Sequence, residues 1–126
     1  MFEITNTTKH CPYSKEADFV AIKNAILGKR YDLSLAFVGD TRARTLNLVH
    51  RKKTYVPNVL SFPLDDTSGE MFITPTCLVK ESAAFEMTPA QYERFLFIHG
   101  CIHLTGLDHG DEMDKREQRF IRRFLK

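Results

Sequence analysis

A chain of 126 residues, 43% of them hydrophobic, has the size of one domain with a real core and leaves no room for a second. No apolar run approaches the roughly 20 residues of a membrane span, and the polar start from Met1 to Lys9 has no signal-peptide core. The net charge of +2 says little by itself, and three widely spaced cysteines, Cys11, Cys77 and Cys101, argue for a reducing cytoplasm rather than a disulfide framework.

Phe2 to Thr5 reads as a short strand. Ser14 to Gly28 reads as a helix, with Phe19, Ile22, Ala25 and Ile26 as its apolar face and Gly28 as its stop. Leu33, Leu35 and Phe37 alternate, so Tyr31 to Val38 is predicted to be a strand. Asp40 or Thr41 caps a helix that reaches about His50. Arg42, Arg44, Arg51, Lys52 and Lys53 make this stretch basic, with no acid between Thr41 and Thr54. That pattern fits a polyanion contact, and on charge alone a solvated surface fits equally well. Arg51 to Pro57 is predicted to be a loop, and Val59 to Phe62 a strand closed by Pro63. Asp65 to Gly69 is turn chemistry, Glu70 to Thr74 another strand, and Pro75 to Phe85 a helix. Thr88-Pro89-Ala90-Gln91 is a capping box with proline at the first helical position. The apolar residues that follow, Phe95 to Ile98 with Ile102 and Leu104, occupy more than one face. This helix should therefore be buried on most sides, and Gly106 ends it. A last amphipathic helix runs from Glu112 to about Leu125 and ends basic. No repeat is visible. The pattern predicts an α+β fold: a small mixed sheet packed against several helices, with a central buried metal-binding helix.

The candidate metal site is carried by His99-Gly100-Cys101-Ile102-His103-Leu104-Thr105-Gly106-Leu107-Asp108-His109. His99 and His103, four apart on a helix, share one face. Gly106 permits a sharp turn, so His109 can return as a third ligand. Three protein nitrogens leave a fourth position for water, the arrangement of catalytic zinc, and zinc lowers the pKa of such a water to near ~7. Isolated histidines are usually satisfied core residues, but three of the chain's five fall within this segment. Cys101 reads as packing, and His10 beside Cys11 lacks spaced companions. The spacing HxxxHxxGxxH equals that of the metzincin proteases, which need Glu after the first His as general base. Gly100 stands there and cannot take a proton. Asp108 could orient an imidazole or simply end the helix.

His99 to His109 fits HGxxHLxGxDH at each fixed position, and so resembles the hallmark of the YbeY endoribonucleases, the ribosomal RNA maturation factors. Asn47 through Pro63, NLVHRKKTYVPNVLSFP, is similar to a second motif of that family, and Gly69-Glu70-Met71 to a third, shorter one. The resemblance covers about Leu33 to Lys126. It departs in Val56-Pro57 for Pro-Thr, in Lys52-Lys53-Thr54-Tyr55 for Gly-Lys-Asp-Lys, in Leu107 for a common Tyr, and in a short loop before Gly69.

The resemblance implies that residues 1–126 form a single YbeY-like metal-dependent hydrolase domain. The activity would be single-strand-specific endoribonuclease action in maturation of ribosomal RNA, at the small-subunit 3′ end, and in ribosome quality control. It implies one zinc ion on His99, His103 and His109, and Arg51 as the active-site arginine. A guanidinium there could clamp phosphoryl oxygens as charge builds on them. Lys53, Asn58 and Ser61 are candidate substrate contacts. Lys53 also fits a solvated lysine, and Asn58 and Ser61 also fit groups that fix a strand and its turn. The expected partners are single-stranded RNA, ribosomal RNA and the ribosome with its proteins, in the cytoplasm and away from membranes. No general base emerges, so the nucleophile is either water or the substrate 2′-hydroxyl. Two other readings stand beside this one: a zinc peptidase, and a non-catalytic ribosome-binding factor braced by structural zinc.

Overall fold

The computed structural model describes residues 1–107 and 109–125. The chain order is β1 (Phe2–Asn6), α1 (Glu16–Leu27), β2 (Asp32–Phe37), α2 (Asp40–Arg51), β3 (Val59–Asp65), β4 (Ser68–Ile73), α3 (Pro75–Ser82), a 3-10 turn at Ala83–Phe85, α4 (Pro89–Leu104) and α5 (Asp111–Phe124). The four strands form one mixed sheet in the order β1-β2-β4-β3. β2 pairs in parallel with both β1 and β4, whereas β3 pairs antiparallel with β4 at the edge. The α+β expectation holds. No described helix is long and apolar enough to cross a membrane.

The sheet is covered on both faces, and side-chain alternation along the central strands decides what goes where. Leu33, Leu35 and Phe37 of β2 join Met71 and Ile73 of β4 on the larger core, against Phe19 and Ile22 of α1 and Leu96, Phe97, Cys101 and Ile102 of α4. Ala36 and Phe72 face the other way, into a smaller core with Ala43 of α2 and Leu60 of β3. All three cysteines are free, and Cys77 and Cys101 are buried. Burial holds the Cys101 thiol far above its ordinary pKa, which fits packing rather than reactivity.

Four boundaries differ from the sequence expectation. Arg51 is the last residue of α2 rather than the first of a loop. Pro63 does not close β3: the strand continues to Asp65, with an irregular register between Pro63 and Asp65. An edge strand tolerates a residue that cannot donate to a ladder. The predicted turn narrows to Asp66 and Thr67, and Ser68 and Gly69 are already strand. The helix predicted to reach Phe85 ends at Ser82 and tightens into the 3-10 turn.

Candidate metal centre and active-site cleft

The capping box is present: Thr88 Oγ1 accepts from the Gln91 backbone at 3.1 Å, and Gln91 Oε1 accepts from the Thr88 backbone at 3.0 Å. Together with Pro89 it fixes the start of α4 and therefore the phase of its faces. α5 lies antiparallel along α4 through three successive links. Gln91 Nε2 donates to the Leu125 carbonyl at 2.9 Å, and Arg94 Nε to the Phe124 carbonyl at 3.0 Å. The third link reaches the site: His99 Nδ1 lies 2.7 Å from Glu117 Oε2.

That contact sets the role of one ring nitrogen. An ionised carboxylate only accepts, so His99 Nδ1 is the donor. His103 Nδ1 lies 3.0 Å from the Leu107 carbonyl, which also only accepts. Both rings therefore present Nε2 to each other, and those two atoms are 3.1 Å apart. Facing lone pairs repel unless a cation or a proton lies between them. Two zinc–nitrogen bonds at a tetrahedral angle would place the nitrogens roughly 3.3–3.4 Å apart. Gly106, at φ 97°, turns the chain beyond α4. His109 then lies with its ring centroid 5.3 Å from His99 and 4.8 Å from His103. Candidate ligand atoms of all three histidines fall within 4.8 Å of one another. The donor set fits a metal ion on three neutral imidazoles. Asp108 lies outside the described residues.

The histidines open onto a cleft of about 710 Å³ that also receives Arg51, Asn58, Ser61 and Glu117. Arg51 enters it as an exposed side chain at the end of α2. The loop behind Arg51 is held by Asn47, fully buried, whose Nδ2 donates to the Tyr55 carbonyl at 3.0 Å and whose backbone carbonyl accepts from Lys53 at 3.3 Å. Lys53 is exposed and is not among the residues lining the cleft. Ser61 Oγ donates to the Gly100 carbonyl at 3.1 Å, fastening β3 to α4. Asn58 Nδ2 donates to Glu81 Oε1 at 3.0 Å and approaches Tyr92 Oη at 3.4 Å. The Tyr92 hydroxyl donates to the same Glu81 oxygen at 2.5 Å. Burial and that carboxylate together hold the Tyr92 hydroxyl far above the usual phenol pKa, so it stays protonated.

Gly100 sits where close approach demands it. A Cβ there would lie 2.7 Å from Met71 Cε and 2.8 Å from both Met71 Sδ and Ser61 Oγ. The position after the first histidine thus belongs to the helix face pressed on the sheet, with no room for the glutamate of a metzincin.

The family model described as Endoribonuclease YbeY matches residues 3–124. The chain belongs to the YbeY endoribonuclease family. A YbeY endoribonuclease of Neisseria meningitidis serogroup B is 36% identical over 115 residues, 81% of this chain and 67% of that protein. The YbeY endoribonuclease of Alkaliphilus metalliredigens is 33% identical over 100 residues, 71% of this chain and 64% of that protein. The chain thus spans about two thirds of the length of these curated relatives. The solution structure of TM1509 from Thermotoga maritima superposes with a TM-score of 0.66 at 24% identity, over 96% of this chain and 87% of that one, a likeness of fold. Family membership does not favour the peptidase or the structural-brace reading.

Sequence reasoning gave no role to Glu117, Glu81 or Tyr92. Tyr92 had a signal: Tyr92, Phe95, His99 and His103 follow one helix face at spacings of three and four. Glu117 had none, because only the antiparallel docking of α5 brings it to His99.

Proposed function

We infer that residues 1–126 act as one YbeY-like metal-dependent hydrolase domain that cleaves single-stranded RNA. The observation that carries this is the cluster of His99 and His103, with Nε2 atoms 3.1 Å apart, beside His109, opening into the cleft that Arg51 enters, in a chain of an endoribonuclease family. His99, His103 and His109 would hold one zinc ion. A bound zinc would supply Lewis acidity toward a phosphoryl oxygen and a lowered pKa for water. Glu117 holds His99 in the ligating tautomer, and the Leu107 carbonyl does the same for His103. Arg51 receives the phosphodiester and stabilises the charge that grows on its non-bridging oxygens. Asn58 and Ser61 shape the substrate's wall of the cleft, and Lys53 adds a phosphate contact outside it. The substrate class is ribosomal RNA, processed at the small-subunit 3′ end in the cytoplasm, with the ribosome as partner and quality control as the setting.

The deciding experiment measures metal content and single-stranded RNA cleavage together, for wild type and His103→Ala purified identically and free of ribonuclease. Near-stoichiometric zinc in the wild type, with cleavage lost in a variant that stays folded, is expected. A zinc-bound wild type that leaves RNA intact, or a variant that cuts equally well, overturns the proposal. Arg51→Ala should lower kcat/KM by about 10²–10³, the usual cost of losing one transition-state charge donor. A 2′,3′-cyclic phosphate on the product would assign the attack to the 2′-hydroxyl, and a linear phosphate to water.

A further inference from the structure

The cleft has a second wall. Phe85 stands on the 3-10 turn after α3 and is 53% exposed. Its ring is stacked on Tyr92 at 5.3 Å between centroids and 22° between planes. Tyr92 is stacked in turn on Phe95 at 5.9 Å and 22°, and Phe95 continues to His99 at 6.3 Å and 34°. Phe85 also lies 6.2 Å and 33° from Phe95, so the three rings form one cluster, half-exposed at Phe85 and adjoining a candidate metal ligand. Tyr92 is held in place, because its buried hydroxyl is bound to Glu81, which also accepts from Asn58. The turn that carries Phe85 is closed by backbone bonds: Glu86 donates to the Ala83 carbonyl at 3.1 Å, and Met87 to the Ser82 carbonyl at 3.0 Å.

Phe85 and Tyr55 are large exposed hydrophobic side chains that line the cleft, beside Pro63 and the more buried Val59, Leu60 and Leu96. Rings beside an arginine match a chain of flat bases on an anionic backbone.

We propose that Phe85, backed by Tyr92 and Phe95, is a stacking platform for one unpaired base of the RNA near the phosphate that Arg51 receives. The proposal rests on the endoribonuclease reading and deepens it by locating single-strand selectivity. A base inside a duplex has both faces covered and cannot lie on Phe85, whereas a splayed base can. Phe85 is therefore a binding and specificity residue, and Asn58 and Glu81 are positioning residues that hold its backing ring.

The test uses a 2′-O-methyl single-stranded oligonucleotide, verified to stay intact over the assay, carrying 2-aminopurine at successive positions. Binding is followed by fluorescence quenching with wild type, Phe85→Ala, Phe85→Leu and Phe85→Trp, alongside cleavage kinetics on the unmodified strand. Loss of one stacked base corresponds to a roughly 5- to 100-fold weakening. Phe85→Ala and Phe85→Leu should both show it as raised Kd and KM, with kcat changed far less and quenching lost at one position. Phe85→Trp should retain both affinity and quenching. Phe85→Leu keeps apolar bulk without a ring, so wild-type affinity in that variant overturns the platform, as does unchanged affinity in a folded Phe85→Ala. Those results would leave the ribonuclease reading standing, because the wild type would still cut. A wild type that neither binds nor cuts the strand would overturn both.

Discussion

Replacing Glu117 tests whether the contact behind His99 serves the metal. Its carboxylate lies 2.7 Å from His99 Nδ1, with the two side chains only 13% and 22% exposed. It is thus shielded enough to matter and is the group that accepts the Nδ1 hydrogen. Removing such a partner typically costs 10–100-fold in metal affinity, equivalent to about 1.4–2.7 kcal/mol. Glu117→Gln keeps an oxygen that can accept from Nδ1 but removes the charge, so it should lie near the tenfold end. Glu117→Ala leaves the ring free to turn and should approach a hundredfold. The fold should not change with it. α5 remains anchored by buried Met113 and Leu125, and by Gln91 and Arg94 bonded to the carbonyls at its C-terminal end. The assay is competition for zinc against a chromophoric chelator at pH 7, with urea unfolding of the metal-free proteins as control. Zinc affinity within twofold of wild type in both variants, at equal metal-free stability, would refute the reasoning.

Chelation should abolish RNA cleavage yet leave a cooperatively unfolding protein, because the larger core lies between the sheet and α1 and α4 while His109 is exposed; unfolding on chelation would instead indicate a structural site. Gly100→Glu, which restores the metzincin spelling, should gain no casein-cleaving activity and lose about 3 kcal/mol or more, since its Cβ would press on Met71 and Ser61. Its failure to destabilise in urea unfolding would contradict the packing described. Glu93 is fully buried and accepts from the backbones of Ser14 at 2.7 Å and Tyr13 at 3.2 Å, so Glu93→Ala should cost about 2–4 kcal/mol by stranding both donors. Burial raises the Glu93 pKa, so its contribution is fully present below the ordinary carboxylate range and is lost as pH rises through the raised value. The stability advantage of wild type over Glu93→Gln should therefore shrink between pH 4 and 7, and an advantage that grows over that range would reverse the sign argued here.

Local chemistry made much of this legible. The alternation of Leu33, Leu35 and Phe37 predicts one buried face of β2, and the Thr88 box predicts where α4 begins; both are dictated by neighbours a few residues away. The His99/His103 spacing and the bend at Gly106 are local as well, so the cluster could be drawn before the fold was known. What sequence reasoning did not supply depends on contacts across the sheet or between helices. Pro63 continues a strand only because β3 is an edge, which strand order decides. Arg51 joins α2 because Lys52 adopts a left-handed conformation at φ 57° and donates to the Leu48 carbonyl at 3.0 Å, closing the helix one residue later than composition suggests. Asn58 bonds to Glu81 more than twenty residues away in sequence, and no short window contains both.

The chemistry open to the histidine pattern is decided by how α4 is shared among its neighbours. Phe97, Ile98, Cys101 and Ile102 belong to the core, so the helix cannot rotate without emptying it. Tyr92, Phe95, His99 and His103 take the cleft, and Glu93 and Gln91 take the N-terminal segment and α5. Gly100 has the remaining side, where a Cβ would press on the side chains of Met71 and Ser61. With that side committed to packing, the chain position after the first ligand cannot supply a metzincin-type carboxylate. Arg51 enters the cleft at the end of a helix whose following loop Asn47 holds in place. A guanidinium in that place suits an anionic phosphodiester and offers nothing to a neutral peptide bond that needs a base. A glycine that packs against Met71 and Ser61 and an arginine in the cleft thus favour nucleic acid over peptide for the same three-histidine spacing.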